Sequence, residues 1–340
     1  MPGIKLYTSN RLEILAAQLA EVLRIPLSSP LMSEIILVQS KGMERWISME
    51  LAARLGICAN YRFPFPNHFV YQVFREFIPD LPEASPFDPA IMAWEIMKIL
   101  PPCLTREGFE SLRGYLREDS IHLKRYQLAT RIADLFDQYL LFRPDMIRAW
   151  ENNEEGHWQA VLWRELVQGK PKIHRAALLD AFLGKMEKAE VRFATLPERI
   201  SVFGISALPP FHLRVLKEIS RFLEVNLFLM NPCREYWADI VSGREVIRVM
   251  EREKKVESSP EDLHLDRGNS LLASMGMLGR EFFGLVAELG GEEQELFVDP
   301  APDNLLSCLQ GDVLNLADRG RSSPEKTPVM EDDTSLQIHA

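Results

Sequence analysis

Three short apolar runs, IILVQ at 35–39, ISVFGI at 200–205 and VNLFLMNP at 225–232, constrain this chain's fold more than any other feature. Each is far short of a membrane helix and too continuous for a half-exposed strand. Each therefore reads as a strand buried on both faces, the mark of a parallel sheet covered by helices. Between the first run and the other two lies a long stretch with helical periodicity. The chain is expected to leave its sheet, build a helical body, and return.

The opening residues have a β-α-β-α rhythm. Ile4 and Leu6 begin a strand, and Asn10 with Glu13 three residues on suggests a capping box for the next helix. Leu12, Leu15, Ala16, Leu19, Val22 and Leu23 recur at helical spacing. After the strand at 35–39, Ser40-Lys41-Gly42 turns into a second helix with Met43, Trp46, Ile47, Leu51 and Leu55 on one face. The run Phe63-Pro64-Phe65-Pro66 stops regular structure.

From 67 to 192 the chain reads as helices punctuated by proline clusters, including Pro101-Pro102. Its clearest helix carries Ile132, Leu135, Phe136, Tyr139 and Leu140 as an apolar stripe. Strand, proline-containing loop, helix and strand return over 199–230. Beyond Tyr236 a charged helix at about 239–255, a polar loop and a helical stretch at 271–289 are expected. These patterns divide the chain into 1–66 for the first part of an α/β subdomain, 67–192 for an inserted helical subdomain, and 193–318 for the second α/β part with a charged extension. Residues 319–340 are a linker, and the strand-like LQIH at 336–339 suggests that a further domain comes after it.

Charge bears on partners. The formal net charge of −10 argues against a protein that coats nucleic acid, since phosphate contacts need concentrated positive charge. The sum hides a gradient. Residues 1–75 carry 8 basic and 5 acidic side chains, +3, while residues 236–340 carry 10 and 21, −11. The four cysteines form no Cys-x-x-Cys pair and suit reduced thiols; with no secretory signal and no membrane-length apolar run, a soluble cytoplasmic protein is expected.

The motifs of catalysis are missing. A phosphate loop needs Gly-x-x-x-x-Gly-Lys and then Ser or Thr, yet Gly169-Lys170 and Gly184-Lys185 are succeeded by Pro171 and Met186. The first strand-to-helix turn carries Tyr7-Thr8-Ser9-Asn10-Arg11 instead. There is no Asp-Glu pair to hold magnesium, no metal-ligand histidine spacing and no Gly-x-Ser-x-Gly elbow. Glu292-Glu293 and Glu331-Asp332-Asp333 read as solvated loops. No cofactor or metal is expected.

A binding surface remains. Gln39, Lys41 and Arg45 gather at the C-terminal end of a central strand, where ligands sit in open α/β sheets, and their side chains suit phosphates and base edges. An ordinary solvated helix start is the plainer reading of the same residues. Phe65 and Tyr71 could stack on unpaired bases, or could simply be core aromatics at a hinge. Asp134, Asp137 and Gln138 form a polar helix face whose carboxylates could accept from cytosine amino groups.

In order along the chain, LVQSKGMERWISMEL, GICANYRFPFPNHFVY, ADLFDQYLLFRPD, VFGISALPP, NPCREYWADI, NSLLASMGMLGRE and APDNLL resemble the N-terminal part of the RecC family, the gamma chains of exodeoxyribonuclease V. The resemblance runs over roughly residues 4–340. It implies an α/β fold of the superfamily 1 helicase kind: a RecA-like, P-loop-NTPase-like parallel sheet with its ATP site lost, plus an inserted all-helical subdomain, the 1A and 1B arrangement. It also implies a non-catalytic subunit that joins RecB-like and RecD-like motor subunits and binds DNA at the fork, with no membrane role. Such a subunit channels the 3′-ended strand and scans it for a Chi-like signal during double-strand break repair and homologous recombination.

By the same resemblance, Gln39, Asp134, Leu135, Asp137 and Arg175 fall on positions that face the scanned strand. Lys41 and Arg45 stand where the family pattern has Thr and Gln, and Phe65 and Tyr71 where it has Leu and Trp. Two added positive charges favour phosphate contact over amide readout. The competing readings are a scaffold that only docks the motors, and a degenerate nucleotide hydrolase or nuclease.

Overall fold

The computed structural model describes residues 2–78, 80–117, 122–187, 196–240, 268–319 and 332–337. The chain divides into two compact units: Met1–Phe69, Pro197–Leu208 and Ile219–Ala340 form one, and Val70–Leu196 with Pro209–Glu218 form the other. The changeovers fall at 69/70 and 196/197, where the sequence placed them at 66/67 and 192/193. The segment 209–218, assigned from the sequence to the second α/β part, belongs to the helical unit.

The first unit is built on β1 (Gly3–Ser9), β2 (Glu34–Leu37), β3 (Tyr61–Arg62), β4 (Arg199–Phe203), β5 (Glu224–Met230) and β6 (Glu292–Glu295). All six strands are parallel, in the order β3-β2-β4-β5-β1-β6. The fold is thus the α/β class with a parallel sheet and a helical insertion. Every residue of the central strand β4 is buried, as its unbroken apolar run requires.

Helix α1 (Leu12–Leu23) buries Leu15, Ala16, Leu19, Ala20 and Leu23. α2 (Lys41–Leu55) buries Ile47 and Leu51. Both close over Tyr7, Ile36, Val38, Phe203 and Phe228, with Tyr7 stacked on Phe228 at 4.7 Å between centroids. Gly204, just after β4, has φ +62°, and a Cβ there would meet Met43 of α2 at 2.9 Å, so the glycine lets the first turn of α2 approach the sheet.

Three local expectations change. The capping box at Asn10 does not form: Arg11 occupies the cap of α1 without a side-chain bond. The Asn10 amide instead pairs with Val298, accepting from its N–H at 3.0 Å and donating to its carbonyl at 2.8 Å. An asparagine side chain carries a peptide-like donor and acceptor, and here it extends the β1–β6 pairing by one step. Second, Glu292-Glu293 is not a solvated loop but part of β6, whose backbone pairs with Lys5–Thr8 while all four side chains stay exposed. Glutamates on an edge strand discourage pairing with another chain. Third, β3, only two residues long, pairs with β2 just before Phe63-Pro64-Phe65-Pro66, where no strand was marked.

The charged helix at 239–255 falls almost wholly outside the described residues, as do most of the linker and the LQIH end. The helical stretch at 271–289 is two helices, α11 (Ser270–Met275) and α12 (Met277–Ala287), broken at Gly276. α13 (Leu305–Leu314) comes next, with a true capping box between Asn304 and Ser307.

The second unit contains most of α3 (Pro66–Phe77) and of α10 (Pro210–Ile219). Between them lie α4 (Pro89–Cys103), α5 (Glu110–Tyr115), α6 (Leu123–Phe142), α7 (Pro144–Glu151), α8 (Trp158–Val167) and α9 (Arg175–Met186). α4 starts on the Asp88 cap with Pro89 at its first position, and runs through Pro101-Pro102 to Cys103 rather than ending before them. Its core joins Met92, Ile96 and Leu100 to Phe136, Leu140, Trp150 and Trp163. No helix among the described residues is long and apolar enough to cross a membrane.

Candidate nucleic-acid interface

In the α/β unit the chain leaves β2 at Leu37, and Val38 N–H bonds the Pro64 carbonyl at 3.4 Å, drawing the Pro-rich bend to the end of the strand. Gln39 and Ser40 then emerge into solvent. Ser40 caps α2, its Oγ accepting from Met43 N–H at 3.1 Å, which fixes where the helix starts. Lys41 is the first helical residue and Arg45 lies one turn on; both are exposed.

Lys41 Nζ sits 5.6 Å from the ring centroid of Phe65, a residue that is 40% exposed. Gln39, Lys41, Arg45 and Phe65 therefore come together at one end of β2, with an aromatic face beside a cation. The sequence reading missed Glu44, which bonds Lys41 Nζ at 2.6 Å and neutralises part of its charge. The i, i+3 spacing carried that signal.

The other named residues belong to the helical unit. Asp134 is exposed and Leu135 half-buried on α6. Asp137, one turn from Asp134, pairs with Arg175 Nη1 at 2.6 Å, and both side chains are largely covered. Burial pushes the Asp137 carboxyl up, and the Arg175 guanidinium offsets only part of that shift. Arg175 is the first residue of α9, held there by the His174 cap, whose Nδ1 accepts from Ala177 N–H at 3.3 Å. Tyr71 on α3 is half-buried and donates its hydroxyl to the Pro82 carbonyl at 2.9 Å, so its polar end is already engaged. The sites thus fall into two groups, one in each unit.

A RecA-like sheet invites the question of whether a nucleotide fits. After β1 only Asn10 and Arg11 separate strand from helix, and neither is glycine. Ser9 Oγ donates to the Leu296 carbonyl at 2.7 Å and accepts from Arg11 N–H at 3.1 Å. Leu296 N–H bonds the Thr8 carbonyl at 2.8 Å, and Asn10 holds Val298. The turn that cradles phosphates in nucleotide-binding sheets is here cross-linked to the strand leaving β6. The residues present do not fit a nucleoside triphosphate. No group of metal-ligating side chains occurs among the described residues.

Comparison with known proteins agrees in direction. The family model described as RecC, N-terminal domain, matches residues 4–316. The RecBCD enzyme subunit RecC of Escherichia coli (strain K12) is 37% identical over 376 residues, covering 99% of this chain and 34% of that protein. That of Haemophilus influenzae is 33% identical over 399 residues, covering 98% and 34%. That of Mycolicibacterium smegmatis is 28% identical over 350 residues, covering 99% and 30%. The chain spans about a third of the length of these relatives. Since the match covers nearly every described residue of both units, the chain belongs to the RecC family and comprises its N-terminal domain.

Proposed function

We propose that this domain handles DNA without hydrolysing nucleotide, as part of a RecC subunit working with RecB-like and RecD-like motors in double-strand break repair and recombination. The observation that carries this reading is the pairing of two features of one sheet. The turn after β1 is closed against phosphates, while the end of β2 presents Gln39, Lys41, Arg45 and Phe65 to solvent. A helicase-like 1A sheet stripped of its nucleotide site keeps the edge where a strand can lie.

On this reading the 3′-ended strand lies along the β2 edge, its phosphates meeting Lys41 and Arg45 and a base resting on Phe65. Asp134, Asp137 and Arg175 supply base-edge acceptors and a donor for scanning a Chi-like signal. Arg175 then exchanges its bond to Asp137 for contact with the strand.

The test is charge reversal, Lys41→Glu with Arg45→Glu, in the full-length chain assembled with its motor subunits. Single-strand affinity is expected to fall by ~10-fold or more. The slope of log K against log salt should shrink by about 1.4, the share of two phosphates at ~0.7 each. The complex should still assemble, and the chain purified alone should show no DNA-stimulated ATP hydrolysis. Unchanged strand binding in an assembled complex would instead favour the scaffold reading.

A further inference from the structure

The half of the sheet away from β2 carries a recess of its own. β1 and β6 pair so that Leu6 lies beside Glu293 and Thr8 beside Glu295. Side chains alternate along a strand, so these four share one face of the sheet, opposite the face where Tyr7 packs with α1. With Val286 and Ala287 of α12 and the segment after β5, they line an open cavity of about 180 Å³. A smaller hollow of about 100 Å³ shares Leu6, Val286, Ala287 and Glu293 and extends the apolar wall to Leu227 and Leu289.

Size, charge and an unmet hydrogen bond narrow the occupant. The cavity is close to the ~150 Å³ that holds one benzene ring and below the ~300 to 1,000 Å³ of small-molecule sites, so it suits a single side chain rather than a nucleotide. Three carboxylates line it, those of Glu235, Glu293 and Glu295, against the one guanidinium of Arg234, which is already bound to Asp299. Neither Glu293 nor Glu295 has an ion-pair partner among the described residues. Thr8 is only 1% exposed, yet its Oγ1 has no hydrogen-bond partner, so a donor brought from outside would satisfy it. The described residues hold no group able to ligate a metal ion. Trp237, fixed by its Nε1 bond to Asn231 Oδ1 at 3.0 Å, packs 5.9 Å from Phe283 between centroids, and Tyr236 stands 67% exposed beside them. A guanidinium meets all of these demands: it is planar, stacks on aromatic faces, and pairs with carboxylates through several N–H donors.

We propose that this recess takes an arginine side chain from a basic segment of a protein partner, its methylenes against Leu6 and Val286 and its guanidinium among Thr8, Glu293 and Glu295. It rests on the reading that the chain works within a complex, and it adds a protein contact on the half of the sheet away from the DNA path. Most of the recess belongs to residues 236–340, the part of the chain at −11, which repels nucleic acid and attracts a basic segment. The glutamates that turn a neutral strand away from β6 are the ones that admit a cation.

Two measurements test this. The first is saturation-transfer NMR on the purified full-length chain with N-acetyl-arginine amide, and with N-acetyl-citrulline amide as the uncharged isostere. The arginine probe should receive saturation along its side chain, and the citrulline probe should bind at least ~10-fold more weakly. Glu293→Gln with Glu295→Gln, and separately Thr8→Val, should each weaken the arginine probe by ~10-fold, with hydrogen exchange in β1 unchanged as the check on folding. Equal binding of the two probes, or no binding, overturns the proposal. The second measurement places p-benzoylphenylalanine at Tyr236 and irradiates the assembled complex. The expected cross-link is to one arginine-bearing segment of a partner subunit, lost in the Glu293→Gln, Glu295→Gln chain and when that arginine is changed to alanine. A cross-link to DNA, to the chain itself or to an uncharged segment, or none at all, overturns it. Single-strand binding should be the same with and without the recess changes, so this inference and the DNA-handling reading fail separately.

Discussion

Arg199→Ala should loosen the α/β unit by about 3–5 kcal/mol, the cost of removing one partner from a buried ion pair. Arg199 is the first residue of β4 and only 6% exposed. It makes a two-point contact with the Glu34 carboxylate on the neighbouring strand β2, one bond through Nη2 and one through Nε at 3.3 Å. The same guanidinium donates to the carbonyls of Val22 at 2.8 Å and Ile25 at 3.0 Å. Those carbonyls lie at the end of α1, whose last turn has no basic residue of its own. Arg199 therefore supplies from the sheet the positive charge that a helix C-terminus favours.

Truncation leaves Glu34 buried without its cation and two carbonyls without a donor. Hydrogen exchange in β2 and β4 should accelerate by about two to four orders of magnitude. Arg199→Met combined with Glu34→Leu should recover much of the loss, because it removes both charges together. A double change as damaging as Arg199→Ala alone would show that the carbonyl contacts, not the ion pair, hold this end of the sheet.

Glu34 and Arg199 open their strands, whereas Gln39 and Lys41 lie past the end of β2. Parallel strands place these at opposite edges of the sheet. The Arg199 variants should therefore lower stability while leaving strand affinity intact at temperatures where the unit is folded. The Lys41 and Arg45 variants should do the reverse. Such a separation stems from parallel topology, in which every strand presents its C-terminal end on one edge.

The sheet was readable because 35–39, 200–205 and 225–232 need no partner information to be recognised as doubly buried strands. The β2 edge was readable for a related reason: Ser40, a residue with a strong cap preference, sits between strand and helix and sets the first turn of α2. The features that escaped depend on residues distant in sequence. Asn10 looked like a helix cap because the local pattern fits one, but Val298 competes for the same amide and wins. β6 was invisible since its glutamates face water and only its backbone joins the sheet, after Gly291, where a Cβ would lie 2.6 Å from the Ile4 carbonyl oxygen. The Arg175–Asp137 pair joins α9 to α6, and no spacing rule links positions 38 apart.

Acid should unfold the helical unit in two stages, with an expected combined loss on the order of 5–6 kcal/mol between about pH 7 and about pH 2. The first stage belongs to His212 on α10, which burial, with help from the nearby Arg175 charge, holds at about 4 instead of 6.5. A depressed histidine favours the fold fully above its unfolded value, so this contribution is present above about pH 6.5 and is lost as pH falls towards 4. At 1.36 kcal/mol per unit it amounts to about 3 kcal/mol.

The second stage belongs to Glu151, the last residue of α7. Burial alone would raise its carboxyl, but His174 Nε2 at 2.8 Å, Lys172 Nζ at 3.2 Å and Trp163 Nε1 at 3.2 Å together bring it down to about 2. A depressed carboxylate contributes above about pH 4.5 and fades as pH falls through 2, a further 2–3 kcal/mol or so. The two stages are separable by substitution. Urea titrations at stepped pH, read by the indole signals of Trp150 and Trp163, should show His212→Gln flat between about pH 6.5 and pH 4.5, and Glu151→Gln flat below that. Glu151→Gln should also disturb Arg175, since Glu151 holds the histidine that caps α9. A wild-type stability unchanged from pH 7 to pH 4 would remove His212 from this account, whatever happens at Glu151.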